Sequence, residues 1–395
     1  WTVQGEEEIE HLKPYFKEFE EANPGVKITI QRFPGWTDFW TKTLTAIAAG
    51  AGPDIVMLKE YMVFDLASRG ALVNLSSYID ADPTINQEDF VPATWEAVLY
   101  PHGGSPHALP LYCDALTTFY NRDLFTEVGL DPDMPPETWD DLKEYAIKLT
   151  DPQKHQYGWQ WYELGTREAC LAWWLAFYWQ AGGEFWVPGK EGVEVSLNNQ
   201  AGLDALNLQL DTIYKDKSAL PPSVTATQMV ETGKIGMWMT GPFAYKNYAA
   251  YAPDLNYSTA LLPKYKTQAH NALVDTLAII KDSKHQDLAY SLVSHLRSER
   301  VDYEWASNPN VGWLPVRTAN LKKPPMTTDN KWIVQAEAFF LPETKPKPVA
   351  EGYDGMAVKI ATALQSAWFG KTTPEEALAM AERDANAFLK EIHED

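Results

Sequence analysis

The sequence predicts an α/β fold, and three observations carry that prediction. Segments with apolar residues at helical spacing alternate, along the whole chain, with short apolar or alternating runs. Glycine and proline stops separate them, as in NPG at 23–25 and AGG at 181–183. Runs such as IVML at 55–58 are apolar throughout, the pattern of a strand covered on both faces of its sheet.

The elements follow in order. Residues 6–22 place Ile9, Leu12, Phe16 and Phe19 at helical spacing. VKITIQRF at 26–33 alternates as a strand, TDFWTKTLTAIAAGAG at 37–52 is a helix with a glycine stop, and the strand PDIVML follows. Helix, strand, helix, strand predicts parallel strands joined by crossover helices. MVFDLASRGALVNLSSYI at 62–79 is a helix with its cap. HALPLYCDALTTFYNRDLF at 107–125 holds two strand-like runs, and PPETWDDLKEYAIKLT at 135–150 is a helix with proline at its start. REACLAWWLAFYWQAGG at 167–183 is a strongly apolar helix, and GLDALNLQLDTIYKD at 202–216 is amphipathic. KIGMWMT at 234–240, LNYSTALLP at 255–263 and LVDTLAII at 273–280 are strands, HQDLAYSLVSHLRSE at 285–299 is a helix, and two helices close the chain over 356–370 and 373–392. There is no repeat, low-complexity region or long linker. Two α/β lobes that exchange the chain more than once fit the absence of a clean boundary.

The 395 residues suggest two or three folding units. The net charge of −21 disfavours nucleic acid and anionic lipid as partners. The 16 tryptophans, 19 tyrosines and 15 phenylalanines invite a ligand explanation, because flat rings stack on sugars, bases and cations. Cys113 and Cys170 are expected to be free buried thiols, since two cysteines make neither a disulfide framework nor a cysteine-rich zinc site. No stretch is long and apolar enough to span a bilayer. The opening WTVQGEEE reads as the end of a strand and the start of a helix, so an export signal and a first strand are expected to precede Trp1.

Catalytic and cofactor signatures do not form. None of the eight histidines makes HExxH, GAGPDI at 50–55 places Ile55 where a dinucleotide loop needs its third glycine, and GKTT at 370–373 has Gln365 in place of the leading glycine of a phosphate loop. No GxSxG elbow occurs. No metal or cofactor is expected. A pair of carboxylates facing each other, as in a glycosidase, is open to this acid-rich chain.

Six groups of segments, taken together, resemble the periplasmic or extracellular sugar-binding proteins of ABC importers, the large family that includes maltodextrin-binding protein. They are FEEANPGVKITI with TAIAAGAGPDIVML; ASRGALVNLSSYI; ALPLYCDALTTFYNRDLFTEVGL with PPETWDDL; GKIGMWMTGPFAYKNY; LVDTLAIIKDSKHQDLAYSLVSHLRSE; and GKTTPEEAL. The resemblance implies a two-lobe periplasmic-binding-protein fold, each lobe a mostly parallel sheet flanked by helices, with a multi-strand hinge and a ligand cleft between the lobes. Residues 1–113 with 264–318 are expected to form one lobe, and 114–263 with 319–395 the other. The implied partners are a small carbohydrate and the transmembrane subunits of an ABC transporter. The implied location is periplasmic or extracellular, with lipid anchoring through a preceding segment open, and the implied state is a monomer.

Candidate ligand contacts follow from that resemblance and from strand ends, where open α/β sheets gather ligands. Phe243 stands where the family's Gly-Pro-aromatic motif places a stacking tryptophan, and is otherwise a plug at a strand-to-helix junction. Trp238, in the strand itself, reads equally as core. Asp114 matches a position that often carries a carboxylate accepting sugar hydroxyls, with Tyr112 beside it. Glu60 and Tyr61 directly follow the buried strand, with Lys59; the tryptophan and Asp-Arg pair of the maltodextrin binder appear here as Leu58, Tyr61 and Met62. Gln4 and Glu6 lie in a loop the family uses for polar contacts, although acids there also suit a helix N-terminus. Trp36 opens the second helix. Trp161 shares a face with Trp159 in WQWY, the other face carrying Gln160 and Tyr162. Trp173 and Trp174 read as core. Asp275 is a lone acid in an apolar strand and needs a partner. Trp313 and Tyr353 sit in glycine-marked loops.

The function expected is carbohydrate binding, with an oligosaccharide favoured, and delivery to a permease, without catalysis. The alternatives are a polyamine or other small charged solute, and an acidic glycoside hydrolase.

Overall fold

The computed structural model of the chain describes residues 1–100, 103–161, 164, 168–189, 192–224, 227–308, 311–341 and 344–394. Tyr162 lies outside them. Its internal contacts divide the chain into two compact units: Trp1–Asp114 with Ala272–Thr328 and Val349–Glu351, and Ala115–Asn271 with Asp329–Pro348 and Gly352–Asp395. The second crossover, expected at 263/264, falls inside His270–Ile279, because those ten residues form one unbroken strand.

In the first unit, helix Glu6–Ala22 buries Leu12, Tyr15 and Phe19. Strand Ile55–Lys59 buries Val56, Met57 and Leu58 completely. It pairs antiparallel with His270–Ile279, Ile55 opposite Ile279 and Lys59 opposite Asp275. Helix Glu60–Ser68 starts directly at the strand's end. Strand Ala108–Ala115 is buried along all eight residues and also pairs with His270–Ile279. The expected strand at 26–33 is corrected: only a parallel bridge between Thr2 and Arg32 forms there. A β-branched, alternating run becomes a strand only where a neighbouring backbone completes its ladder, and Thr2 supplies one residue's worth.

In the second unit, four strands run in the order Tyr257–Ala260, Thr117–Asn121, Ile235–Thr240, Tyr157–Gln160. The first two pairings are antiparallel and the last is parallel. The α/β character therefore stands, and the expectation of mostly parallel sheets is corrected. His270–Ile279 returns after a long excursion and lies head to tail beside Ile55–Lys59. Thr117–Asn121 is not joined to either neighbour by a single crossover helix, which is the device that enforces parallel pairing. Helix Glu168–Gln180, apolar on every side, is buried from Cys170 to Gln180. Helices Tyr353–Trp368 and Pro374–Glu394 pack along each other. Cys113 and Cys170 are buried and are not joined by a disulfide.

Candidate functional site

The first unit assembles an aromatic and acidic cluster from separate segments. Tyr112, on strand Ala108–Ala115, stacks on Trp313 with ring centroids 4.3 Å apart and planes at 15°. Trp305, from helix Glu299–Ala306, lies tilted against the same tyrosine at 5.4 Å. Glu8 ties the two indoles together. Its Oε1 accepts the Trp313 Nε1–H at 3.3 Å, and its backbone carbonyl accepts the Trp305 Nε1–H at 3.4 Å. Its Oε2 accepts the Gly5 amide at 3.1 Å, so the carboxylate is held by the start of its own helix.

The Tyr112 hydroxyl bonds the Asp275 side chain. Burial first, then the nearby Asp275, Glu8 and Asp114 carboxylates, push the phenol well above its ordinary pKa. Tyr112 therefore keeps its proton and acts as a donor, whereas the carboxylates are acceptors. Asp275 also faces Lys59 across the ladder, which joins the strand-end group to this cluster. The Lys59 ammonium sits 5.1 Å from the ring centre of Trp36 and 5.9 Å from that of Tyr61. Trp36 is half-buried and meets Phe39 edge-on, and Glu60 and Tyr61 are buried in the first turn of their helix. Asp114, buried, ends the first segment of the unit. The adjacent Cys113 thiol donates to the Pro315 carbonyl at 3.6 Å, and burial with the Asp114 charge pushes its pKa well up, which makes it a poor nucleophile.

Two candidates of this unit lie elsewhere. Glu6 is exposed, 3.7 Å from the Arg32 guanidinium. Residues two apart on a helix point about 200° apart, so Glu8, and not Glu6, turns toward Trp313. Gln4 is buried, its backbone amide donating to the Thr2 hydroxyl at 3.1 Å and its backbone carbonyl accepting from Arg32 Nε at 2.9 Å.

In the second unit, Trp161 and Trp238 are buried, with their indole partners inside the unit. The Trp161 indole donates to the Thr212 hydroxyl at 2.9 Å, and its ring packs on Trp159 and Phe177. The Trp238 indole donates to the Tyr248 hydroxyl at 2.8 Å, among Phe119, Tyr248 and Tyr257. Both N–H groups are satisfied inside the unit, as buried indoles require. Tyr353 is fully buried at the start of its helix. Phe243 caps helix Ala244–Tyr251, is half-buried, and meets Trp173 edge-on at 6.4 Å.

Glu8 and Trp305 were not singled out from the sequence. Glu8 is one of three consecutive glutamates, and ordinary helix-end electrostatics explains the run. Its place at the third helical position, reaching back to the amide before the helix, was the available signal. Among the described residues, no group of histidine, cysteine, aspartate or glutamate has the arrangement of a metal site, and no helix is long and apolar enough to cross a membrane.

Residues 5–303 match the family model of the bacterial extracellular solute-binding proteins, and the chain belongs to that family. This bears out the resemblance drawn from the sequence. A Brucella abortus (strain 2308) protein, named as a binding protein, is 28% identical over 95% of this chain and 90% of its own length. The sn-glycerol-3-phosphate-binding periplasmic protein UgpB of Salmonella typhimurium is 26% identical over 98% of this chain and 91% of its own. Among solved structures, an ABC transporter solute-binding protein from Thermotoga lettingae, bound with α-D-tagatose, superposes with a TM-score of 0.82 at 27% identity, covering 96% of each chain. The cyclic α-maltosyl-1,6-maltose binding protein of Arthrobacter globiformis, at 24% identity and a TM-score of 0.84 over 98% and 97% of the two chains, supports the two-lobe binding-protein fold.

Proposed function

We propose that this chain binds a carbohydrate and delivers it to the membrane subunits of an ABC transporter. The observation that carries the reading is the Tyr112–Trp313 stack bound to Glu8 and Asp275. A flat aromatic surface meets the apolar face of a sugar ring, and the carboxylates beside it supply acceptors for sugar hydroxyls. Phe243, in the second unit, is proposed as a further stacking ring. The tagatose-bound Thermotoga lettingae protein supports the ligand class.

The cluster groups Glu8, Asp114 and Asp275 around Tyr112, with Lys59 opposite Asp275 on the ladder. That balance disfavours an anion such as glycerol phosphate, the ligand in the name of the Salmonella relative. It favours a polyamine as the second reading, because acids and rings both attract ammonium groups. Calorimetry against neutral sugars, sn-glycerol 3-phosphate and spermidine separates the three. Saturable binding of a neutral sugar alone is expected, and binding of spermidine or glycerol phosphate with none of any sugar overturns the proposal.

A further inference from the structure

Helix Glu299–Ala306 carries Trp305 on its buried side, and Asp302, one turn earlier, shares that side. Asp302 is fully buried, where an ionised carboxylate is costly unless it is paired and hydrogen-bonded. Its Oδ1 accepts from the buried Arg297 guanidinium and from the Val316 backbone amide at 3.2 Å. Its Oδ2 accepts from the Arg317 backbone amide at 3.3 Å and from the Asn320 side-chain amide at 2.8 Å. The Arg317 side chain extends the network. Its Nε donates to the Arg297 carbonyl at 2.9 Å, and its outer nitrogens donate to the Thr84 carbonyl at 2.9 Å and the Asp89 carboxylate at 3.2 Å.

Stability alone does not account for an ion pair at this place, because well-packed apolar residues often do as well or better. Its position does. The gripped amides follow Trp313 by three and four residues. Between them, Leu314 and Cys113 exchange both backbone bonds, at 3.1 and 3.2 Å, yet this is an isolated bridge of one residue pair. Further on, Arg317 bridges Phe90, and the Val91 amide donates to the Val316 carbonyl at 2.9 Å. Such short pairings specify register weakly, and a slip of one residue turns every side chain to the other face. Trp313 would then leave Tyr112. Asp302 takes the amides of Val316 and Arg317 together, which fixes that register from the helix.

We propose that Asp302 is a positioning residue of the aromatic cluster. It locks the helix that carries Trp305 to the segment that carries Trp313, so that both indoles meet Tyr112 and Glu8 in one arrangement. A surface already held in its bound geometry loses less freedom when ligand arrives, so loosening it weakens affinity without removing a contact. The effect on affinity rests on the carbohydrate reading above, whereas the ring geometry stands apart from it.

The test is Asp302→Asn, which keeps an acceptor and removes the charge. Near-ultraviolet circular dichroism without ligand is compared for the parent, Trp313→Phe, Asp302→Asn and the double variant. In the parent, the change caused by Trp313→Phe reports an indole in a fixed, asymmetric setting. In the Asp302→Asn background that change is expected to shrink to roughly half or less, as coupled residues require. Calorimetry with a sugar that binds the parent is run where every form is folded. Asp302→Asn is expected to weaken binding about tenfold or more, and Trp313→Phe to add less to that loss than it costs alone. Retention of either the spectral change or the affinity in folded Asp302→Asn overturns the proposal, whatever its Tm. Should Asp302→Asn fail to fold, Asn320→Ala removes one donor to Oδ2 and leaves the charge pair. The same two changes are then expected at smaller size, about threefold in affinity, and unchanged values overturn the proposal. Absence of binding by every sugar to the parent defeats the carbohydrate reading, and the spectra still decide the positioning role.

Discussion

Replacing Trp313 with alanine separates ligand binding from folding. The indole covers Tyr112 at 4.3 Å with nearly parallel planes and donates to Glu8. An aromatic pair contributes about 0.5–1.5 kcal/mol beyond its area, and truncating an aromatic anchor of a binding surface costs about 2 kcal/mol or more. A loss of about 2–3 kcal/mol corresponds to a Kd weakened roughly 30- to 150-fold. Trp313 is only half-buried, so its stability cost stays below the ~3–5 kcal/mol of a fully buried tryptophan. The assay is calorimetry with whichever sugar gives the largest thermal shift, alongside a melt of the variant without ligand. Trp313→Phe retains the ring and removes the N–H, so a loss of roughly 3- to 10-fold is expected, the worth of one hydrogen bond. Alanine-variant affinity within about twofold of the parent, with its melt lowered as expected, refutes the stacking argument.

Three further outcomes follow from the same structure. Phe243→Ala is expected to weaken sugar binding about tenfold or more with little change in melting, because the ring is half-buried and capped mainly by Trp173; unchanged affinity returns it to a structural role. His270 is fully buried, its Nδ1 3.0 Å from the Leu116 carbonyl, and burial lowers its pKa from 6.5 to about 4. The unfolded chain then binds the proton more tightly, so up to roughly 3 kcal/mol of stability is lost as pH falls from about 6.5 to about 4. Melts of His270→Gln across that range should show a shallower decline than the parent, and parallel declines would contradict the assignment. Gly158→Ala would place a methyl 1.8 Å from the Ala146 carbonyl oxygen, a backbone atom that cannot swing away. A Tm drop equivalent to about 3 kcal/mol or more is expected, and a melt like that of the parent would show that the two segments can separate.

The helices were legible in the sequence because each buries one face by itself: Leu12 and Phe19 were placed inside by spacing alone. Residues 26–33 were misread because alternation declares a strand's faces and not whether a neighbour is present to pair with it. Pairing direction was misread for a related reason, since crossover logic does not see a strand such as His270–Ile279 returning from a distant part of the chain. Tyr61 and Trp36 were flagged by their positions at element starts and Asp275 as a lone acid in an apolar strand, and Lys59 faces all three. Trp161 and Trp238 drew attention as tryptophans, but only the fold shows Thr212 and Tyr248 waiting for their N–H groups. Glu8 was hidden in an acidic run, where helical phase decides which glutamate faces inward.

The most direct test of the account is a thermal-shift panel of mono-, di- and oligosaccharides, with spermidine and sn-glycerol 3-phosphate alongside, run on the unmodified chain. A ligand that binds only the folded state stabilises it by about 2.7 kcal/mol at a hundred times its Kd. The account predicts that at least one neutral sugar raises the Tm and that both charged solutes leave it unchanged. A shift with spermidine or glycerol phosphate, and none with any sugar, contradicts it.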